Sequence, residues 1–190
     1  MTERSLHPIV LEAAAGRSPD WARVGARRLT HIEGVASLMG RWSEGLGLPQ
    51  IDRTRWLAAA YLHDALRDAP PDSLIEAAEY PLKIRHGPAV AIRLEAAGVE
   101  DTELLEAIRY HTVGCSVWKA LGRFLYLADF LEPSRAFAPA RLAAWRARLP
   151  EDRDEVLRLV CVCRLTEQLR RGTRLRLESV EFWNSLRGEA

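Results

Sequence analysis

The 190-residue sequence contains few lysines, few cysteines and no long hydrophobic run. Only Lys83 and Lys119 are lysines, so 25 of the 27 basic residues are arginines, a bias typical of a GC-rich genome. The longest uninterrupted apolar stretch runs from Trp56 to Leu62, far short of the ~18 residues that a transmembrane helix requires. We therefore expect neither an integral membrane protein nor a membrane partner.

A strong net charge is also absent, because acidic and basic residues nearly cancel to a formal charge of +1. Such a surface has no global field that attracts a polyanion, so we expect no nucleic-acid partner and look for local anion binding instead. The three cysteines are an odd number, and Glu12 interrupts the only apolar stretch near the start. Neither feature indicates a secreted protein, and we expect a reduced, cytoplasmic compartment.

The hydrophobic pattern predicts an all-α fold, because apolar residues recur three and four positions apart and almost no segment alternates. Eight or nine helices are expected, forming one domain over 1–190 with a motif-bearing core at 27–135 and C-terminal helices over 139–187. Ser18 before Pro19 is a capping signal that predicts a helix from Pro19 to about Gly45, and Asp101 caps a helix predicted over 102–110. The other predicted helices run from Arg53 to about Leu66 and over 72–79, 87–97, 117–131, 139–148, 152–171 and 179–187.

Chemistry is indicated by ionisable residues that fall among apolar helix positions. The pair His63-Asp64 alone is weak evidence, since a His-Asp dipeptide is expected by chance in about one such chain in four. Asp129, however, lies among Leu125, Leu127 and Phe130, where a lone charge costs several kcal/mol unless it is paired or bound to a metal. If the helices bring His31, His63, Asp64 and Asp129 together, two imidazoles and two carboxylates surround one ion. Nitrogen and oxygen donors without thiolate favour Fe, Mn, Zn or Mg.

Six short motifs follow one another in a characteristic order. They are Arg28-Leu-Thr-His31-Ile-Glu-Gly-Val35, Leu62-His63-Asp64-Ala-Leu-Arg67, His86-Gly87, Ala107-Ile-Arg-Tyr-His111-Thr112-Val-Gly114, Ala128-Asp129-Phe-Leu-Glu132-Pro-Ser-Arg135 and Ser179-Val-Glu-Phe-Trp-Asn-Ser-Leu186. The set resembles the HD-domain metal-dependent phosphohydrolases. Within them it is similar to the YqeK-like symmetrical bis(5'-nucleosyl)-tetraphosphatases, which split diadenosine tetraphosphate into two ADP.

The resemblance implies a helical HD-domain bundle and a hydrolase that uses a divalent metal, commonly iron, with manganese, cobalt or zinc as alternatives. A small nucleotide is the implied partner, and a homodimer stays open. The implied metal ligands are His31, His63, Asp64 and Asp129. The implied substrate-binding residues are Arg28, Arg67, His86, His111, Thr112 and Arg135. Direct catalytic roles fall to Asp64, Arg67 and His111, with a protonated His111 or His86 assisting the leaving ADP.

Several alternatives remain at this level. His86 can cap a turn before Gly87, and Arg67 and Arg135 can be ordinary solvated arginines among the 25. The family usually carries lysine at the position of Arg67, and residues 136–149 match it loosely. The substrate can be another nucleotide, such as a nucleoside monophosphate or a guanosine alarmone, or the chain can be a non-catalytic nucleotide sensor.

Overall fold

The computed structural model describes residues 6–186 of the chain. These residues contain nine α-helices, two short 3₁₀ turns and no strand. The predicted all-α class and the expected number of helices are confirmed. The helices are α1 (Pro8–Ala14), α2 (Ala26–Gly45), α3 (Gln50–Leu62), α4 (His86–Ala96), α5 (Thr102–Tyr110), α6 (Ala120–Leu131), α7 (Pro139–Arg146), α8 (Arg153–Arg170) and α9 (Leu177–Ser185).

The central helix is α6, which is apolar around most of its circumference and therefore has to be buried. Phe124, Leu125 and Leu127 are completely inaccessible to solvent. Helices α2, α3, α5, α7 and α8 all pack against α6. A polar residue on this helix, such as Asp129, is consequently held in the middle of the bundle.

Helix α3 packs against both α1 and α2. Three consecutive small residues of α3, Ala58, Ala59 and Ala60, are fully buried, so the helix is enclosed on more than one side. His31 belongs to the second turn of α2, and His63 is the C-terminal cap of α3. The packing of these two helices on α6 therefore brings the first two histidine motifs to Asp129.

The helix that was predicted to run from Pro19 to about Gly45 begins later than expected, so its predicted start is wrong. Helix α2 begins at Ala26, and a short helix α1 precedes an irregular segment that the sequence did not indicate. The backbone N–H of Arg23 donates to the carbonyl of Ala65 at 2.7 Å, and that of Gly25 donates to Asp68 Oδ2 at 3.0 Å. These contacts with the chain after α3 replace the local capping signal at Ser18.

Two further helix predictions are corrected. Helix α3 ends at Leu62 rather than about Leu66, so Asp64 lies in the turn after it. The predicted helix over 72–79 is instead a pair of 3₁₀ turns, Pro71–Ser73 and Ile75–Ala77. The Arg93 side chain donates a hydrogen bond to the carbonyl of Ser73, and the Arg85 side chain donates one to the carbonyl of Ala78.

The last helix, predicted over 179–187, begins two residues earlier, and its predicted end at 187 lies outside the described residues, as do 1–5 and 188–190. Within residues 6–186, no helix combines the length and apolar character that a bilayer span requires.

Candidate metal centre and active site

Two histidines and two aspartates from three segments meet inside the bundle. His31 Nε2 lies 3.2 Å from Asp129 Oδ1 and 3.7 Å from Asp64 Oδ2. His63 Nε2 lies 3.7 Å from the same oxygen of Asp64. The four side chains that sequence analysis assigned to a metal are therefore brought together, and all four residues are buried.

The outer nitrogen of each histidine is fixed by a hydrogen bond that turns the other nitrogen inward. His63 Nδ1 donates to the carbonyl of Ala60 at 2.7 Å, and His31 Nδ1 lies 3.0 Å from Glu132 Oε1. In both rings the inward Nε2 atom is buried and makes no hydrogen bond to any of residues 6–186. A buried imidazole nitrogen without a partner is rare unless an ion or water takes it, and metal-binding histidines are oriented in this way.

The two rings differ in proton affinity. Burial lowers the pKa of His63 to about 4, so that its Nε2 lone pair is free near neutral pH. Burial also lowers the pKa of His31, but the nearby carboxylates of Asp129 and Glu132 outweigh burial and raise this pKa to about 9. The surroundings of His31 therefore favour a positive charge at this point, which a bound cation also supplies.

Both aspartates remain ionised. Burial raises the pKa of Asp64, but His63 and the hydrogen bonds from His111 and His86 outweigh it and hold the pKa well below its usual value. Burial likewise raises the pKa of Asp129, but the positive charge of the Arg164 guanidinium and the adjacent His31 ring outweigh burial and hold this pKa well below its usual value. Two buried carboxylates that stay charged are suitable ligands for a divalent ion.

His86 and His111 lie beside Asp64. His86 Nε2 is 3.0 Å from Asp64 Oδ1 and 3.1 Å from His111 Nε2, and His111 Nε2 is 3.4 Å from the same carboxylate oxygen. His111 Nδ1 donates to the carbonyl of Ile108 at 2.7 Å, which leaves Nε2 to face the site. Arg67 Nη1 lies 3.1 Å from His86 Nδ1, so the ring proton of His86 is on Nε2.

The environment of His86 argues against its role as a proton donor in the imidazolium form. Burial lowers its pKa to about 4 despite the hydrogen bond to Asp64. His86 is therefore a neutral hydrogen-bond donor near pH 7, and His111 remains the candidate for proton transfer.

Gly87 explains why the His86-Gly87 motif contains a glycine. A Cβ atom at this position would lie 2.9 Å from the carbonyl oxygens of both Ile108 and Arg109, and 3.2 Å from His111 Cε1. Only glycine lets the start of α4 approach the end of α5 this closely, and the approach is what brings the two imidazoles together.

Three arginines cover the buried cluster on the solvent side. Arg28 Nη1 donates to Asp64 Oδ2 at 2.7 Å, and Arg135 Nη2 donates to Asp129 Oδ1 at 2.6 Å. The Arg28 and Arg135 side chains are 24% and 34% exposed, and Arg67 is exposed. Thr112 Oγ1 lies 3.2 Å from His111 Nε2. Charged donors at the mouth and buried ligands beneath them suit a phosphate chain that enters from solvent.

All ten predicted site residues therefore belong to one connected network, although their individual roles stay predictions. Two members of the network received no role from sequence analysis. Glu132, only 1% exposed, receives hydrogen bonds from the backbone N–H and the hydroxyl of Ser134 and faces His31. Arg164 reaches Asp129 Oδ2 from α8 at 2.7 Å. Glu132 belongs to the sequence motif that also contains Asp129, whereas nothing in the local sequence distinguishes Arg164.

The donor set fits a divalent metal ion. Donor atoms of His31, His63 and Asp129 all lie within 4.8 Å of one another, and so do those of His63, Asp64 and His111. The first set includes both unpartnered Nε2 atoms, and its nitrogen and oxygen donors suit several first-row metals. Among the described residues these two overlapping triads are where such ligands gather.

Comparison with known proteins defines the class. The family model of the HD domain matches residues 28–134, more than half of the chain, and the chain therefore belongs to the HD domain family. A solved structure from Clostridium acetobutylicum, described as a predicted HD superfamily hydrolase involved in NAD metabolism, has the same fold. Its TM-score is 0.72 at 24% identity, over 85% of this chain and 89% of that one.

Curated relatives carry the name that the motifs suggested. The chain is 31% identical over 58% of its length to the symmetrical bis(5'-nucleosyl)-tetraphosphatase of Bacillus subtilis. It is 32% identical over 60% of its length to a probable nicotinate-nucleotide adenylyltransferase/Ap4A hydrolase of Mycoplasma genitalium. The matches span 63% of the first relative and 34% of the second, which is less than two thirds of either. The resemblance read from the sequence is confirmed.

Proposed function

We propose that this protein is a metal-dependent phosphohydrolase that cleaves diadenosine tetraphosphate symmetrically into two ADP. The observation that carries the proposal is the pair of buried, unpartnered Nε2 atoms of His31 and His63, which face two ionised aspartates. The names of the curated relatives support the choice of substrate. Iron is the metal that the resemblance implies, and manganese and cobalt suit the same donors.

His31, His63, Asp64 and Asp129 would hold the metal. A divalent ion bound there would lower the pKa of a coordinated water and polarise a phosphoryl oxygen. The reaction adds water across the central anhydride of the tetraphosphate, breaking one P–O bond so that each product keeps two phosphates. The chain's own residues then have three tasks, which are to bind the phosphate chain, to orient it and to transfer a proton.

Arginines at the mouth bind and orient the phosphates. All three arginines are accessible to solvent: Arg28 and Arg135 lie beside the buried aspartates, and Arg67 lies beside His86. Guanidinium groups pair with phosphate through two parallel hydrogen bonds, so a tetraphosphate can be held at several points. This local positive charge is what the nearly neutral chain needs in order to bind a polyanion.

His111 is placed to move a proton. Its Nδ1 is occupied by the Ile108 carbonyl, so a proton can be gained or lost only at Nε2, which faces the site. A protonated Nε2 can donate to the leaving diphosphate. His86, which is neutral, donates through Nε2–H and helps to orient Asp64.

The proposal is tested by separating the products of diadenosine tetraphosphate on an anion-exchange column after loading the protein with Fe²⁺, Mn²⁺ or Co²⁺. We expect ADP as the sole product of the wild-type protein. In Asp64→Ala the rate of hydrolysis should fall by about 100-fold or more. Asp72→Ala, which removes an exposed carboxylate from the first 3₁₀ turn, is the matched control and keeps full activity.

Other products or substrates would identify the competing functions. AMP with ATP would contradict symmetrical cleavage. Hydrolysis of a nucleoside monophosphate, a guanosine alarmone or the pyrophosphate of NAD in place of diadenosine tetraphosphate would assign another substrate. Nucleotide binding measured by calorimetry, without turnover for any metal, would indicate a sensor.

A further inference from the structure

Arg164 lies outside the residues matched by the family model, yet it contacts a candidate metal ligand. It belongs to α8, and its Nη2 donates to Asp129 Oδ2 at 2.7 Å. Asp129 Oδ1 accepts from Arg135 Nη2 at 2.6 Å and lies 3.2 Å from His31 Nε2. The two oxygens of one buried carboxylate are thus bound by two different arginines.

The two arginines are held very differently. Arg135 follows the end of α6, and its side chain is 34% exposed. The Arg164 side chain is 16% exposed, and its guanidinium lies 4.3 Å from the ring centre of Tyr126 and 5.3 Å from that of Phe130. Stacking on aromatic rings stabilises a guanidinium in one orientation. Arg135 is also bound through Nε and Nη2 to the backbone carbonyl of Asp129, at 3.1 and 2.8 Å, but its exposed side can meet a substrate phosphate, whereas the Arg164 guanidinium is enclosed.

Arg164 also reaches the other side of the site. Its Nη1 lies 3.4 Å from the carbonyl oxygen of Thr112, the residue that follows His111. One planar group therefore contacts the metal-ligand carboxylate, an aromatic ring of α6 and the segment after α5. A lysine ammonium cannot make all of these contacts at once, because it is a compact point charge without a planar fork.

On this basis, which rests on the proposed metal site, we infer that Arg164 is a positioning residue. It binds Asp129 Oδ2 and so keeps Oδ1 turned towards His31. The alternative is a purely structural ion pair that joins α8 to α6. A positioning role predicts that the metal site changes when the planar guanidinium of Arg164 is lost. A structural ion pair predicts that the metal site stays the same.

The test compares Arg164→Lys and Arg164→Ala with Arg158→Ala. Arg158 is the matched control, because it lies on the same helix, is 41% exposed and pairs only locally, with Glu155. Mn²⁺ affinity is measured by electron paramagnetic resonance, and the visible absorption spectrum is recorded for the Co²⁺-loaded proteins. We expect both Arg164 variants to bind Mn²⁺ about 10- to 100-fold more weakly and to show an altered Co²⁺ spectrum. Arg158→Ala should match the wild type in both measurements.

Mn²⁺ affinity within about twofold of the wild type and an unchanged Co²⁺ spectrum in Arg164→Lys would overturn the inference, even if thermal stability falls. Circular dichroism checks that each variant is folded. If Arg164→Ala is not helical, the lysine variant, which keeps the positive charge, decides alone. Failure of the wild-type protein to bind Mn²⁺ or Co²⁺ would overturn the proposed metal site, and this inference with it.

Discussion

Asp64 and Asp129 are both buried aspartates of one site, but different chemical groups surround them. Asp64 Oδ1 lies beside two imidazoles, His86 at 3.0 Å and His111 at 3.4 Å, and Asp64 Oδ2 accepts from Arg28 on the solvent side. Asp129 is bound by guanidinium groups on both oxygens, Arg135 on Oδ1 and Arg164 on Oδ2. An imidazole nitrogen can donate or accept a proton, whereas a guanidinium group only donates hydrogen bonds and keeps its charge. We therefore expect proton transfer on the Asp64 side and positioning of a metal ligand by Arg164 on the Asp129 side.

The backbone supports the same division. On the Asp64 side, Gly87 allows His86 to approach His111. On the Asp129 side, Gly34 makes room for Glu132, since a Cβ at this position would lie 2.8 Å from Glu132 Oε2. Each half of the site therefore depends on one glycine at a helix contact, and each half can be changed separately.

The largest effect is expected from Asp64→Asn. The substitution keeps the shape but removes the charge that the imidazoles, Arg28 and a bound cation all face, so kcat/KM for diadenosine tetraphosphate should fall by about 1000-fold. Steady-state kinetics with Asp72→Asn as control checks this. A loss smaller than about tenfold would mean that Asp64 is not at the centre of the chemistry.

The next effect is expected from Gly87→Ala, which moves His86 away from His111. A displacement of about 1 Å near the reacting groups can cost about 100-fold in rate, and we expect a loss of this order in kcat/KM. Mn²⁺ affinity should change much less, because the three atoms nearest to the added Cβ belong to Ile108, Arg109 and His111 and not to His31 or Asp129. Equal losses in activity and in Mn²⁺ affinity would contradict the division between the two sides.

Glu132→Gln tests the Asp129 side through His31. The amide no longer offers a charged acceptor to His31 Nδ1, so Mn²⁺ affinity should fall about tenfold. Equilibrium dialysis measures this change, and saturating Mn²⁺ should restore most of the activity. Activity that stays low at saturating metal would place Glu132 in the chemistry rather than in the orientation of His31.

The smallest effect is expected from Gly34→Ala, because the crowded atom belongs to a side chain that can shift by a few tenths of an ångström. Mn²⁺ affinity should fall less than in Glu132→Gln. Gly40→Ala on the same helix is the matched control, since its Cβ would meet Leu57 at an ordinary 3.5 Å. It should leave Mn²⁺ affinity unchanged and stabilise α2 by about 0.5–1 kcal/mol in urea unfolding. Identical Mn²⁺ affinities for the two variants would contradict the role given to Gly34.

Sequence reasoning predicted the part of the site that local motifs encode. His31, His63 and Asp129 could be found because the ordered motifs that contain them resemble those of the HD-domain phosphohydrolases, and Asp129 also because it lies among apolar residues. Arg164 could not be found, because it is one of 25 arginines and its contact with Asp129 depends on how α8 packs on α6. Glu132 belongs to a motif but could not be given a role from the sequence, because its partner His31 lies on a distant segment.

Helix boundaries show the same limit of local information. The periodicity of α5 and its cap at Asp101 predicted that helix over 102–110, and the structure confirms it. The start of α2 was predicted seven residues too early, because the capping signal at Ser18 could not reveal that Arg23 bonds the carbonyl of Ala65. Local signals succeed where no distant segment competes for the same backbone groups.

The proposed metal site is tested most directly by a crystal structure of the protein grown with Mn²⁺, with anomalous differences measured above the manganese absorption edge. We predict an anomalous peak in contact with the Nε2 atoms of His31 and His63 and with carboxylate oxygens of Asp64 and Asp129. Manganese bound only elsewhere on the protein, with the two Nε2 atoms left without a ligand, would contradict it.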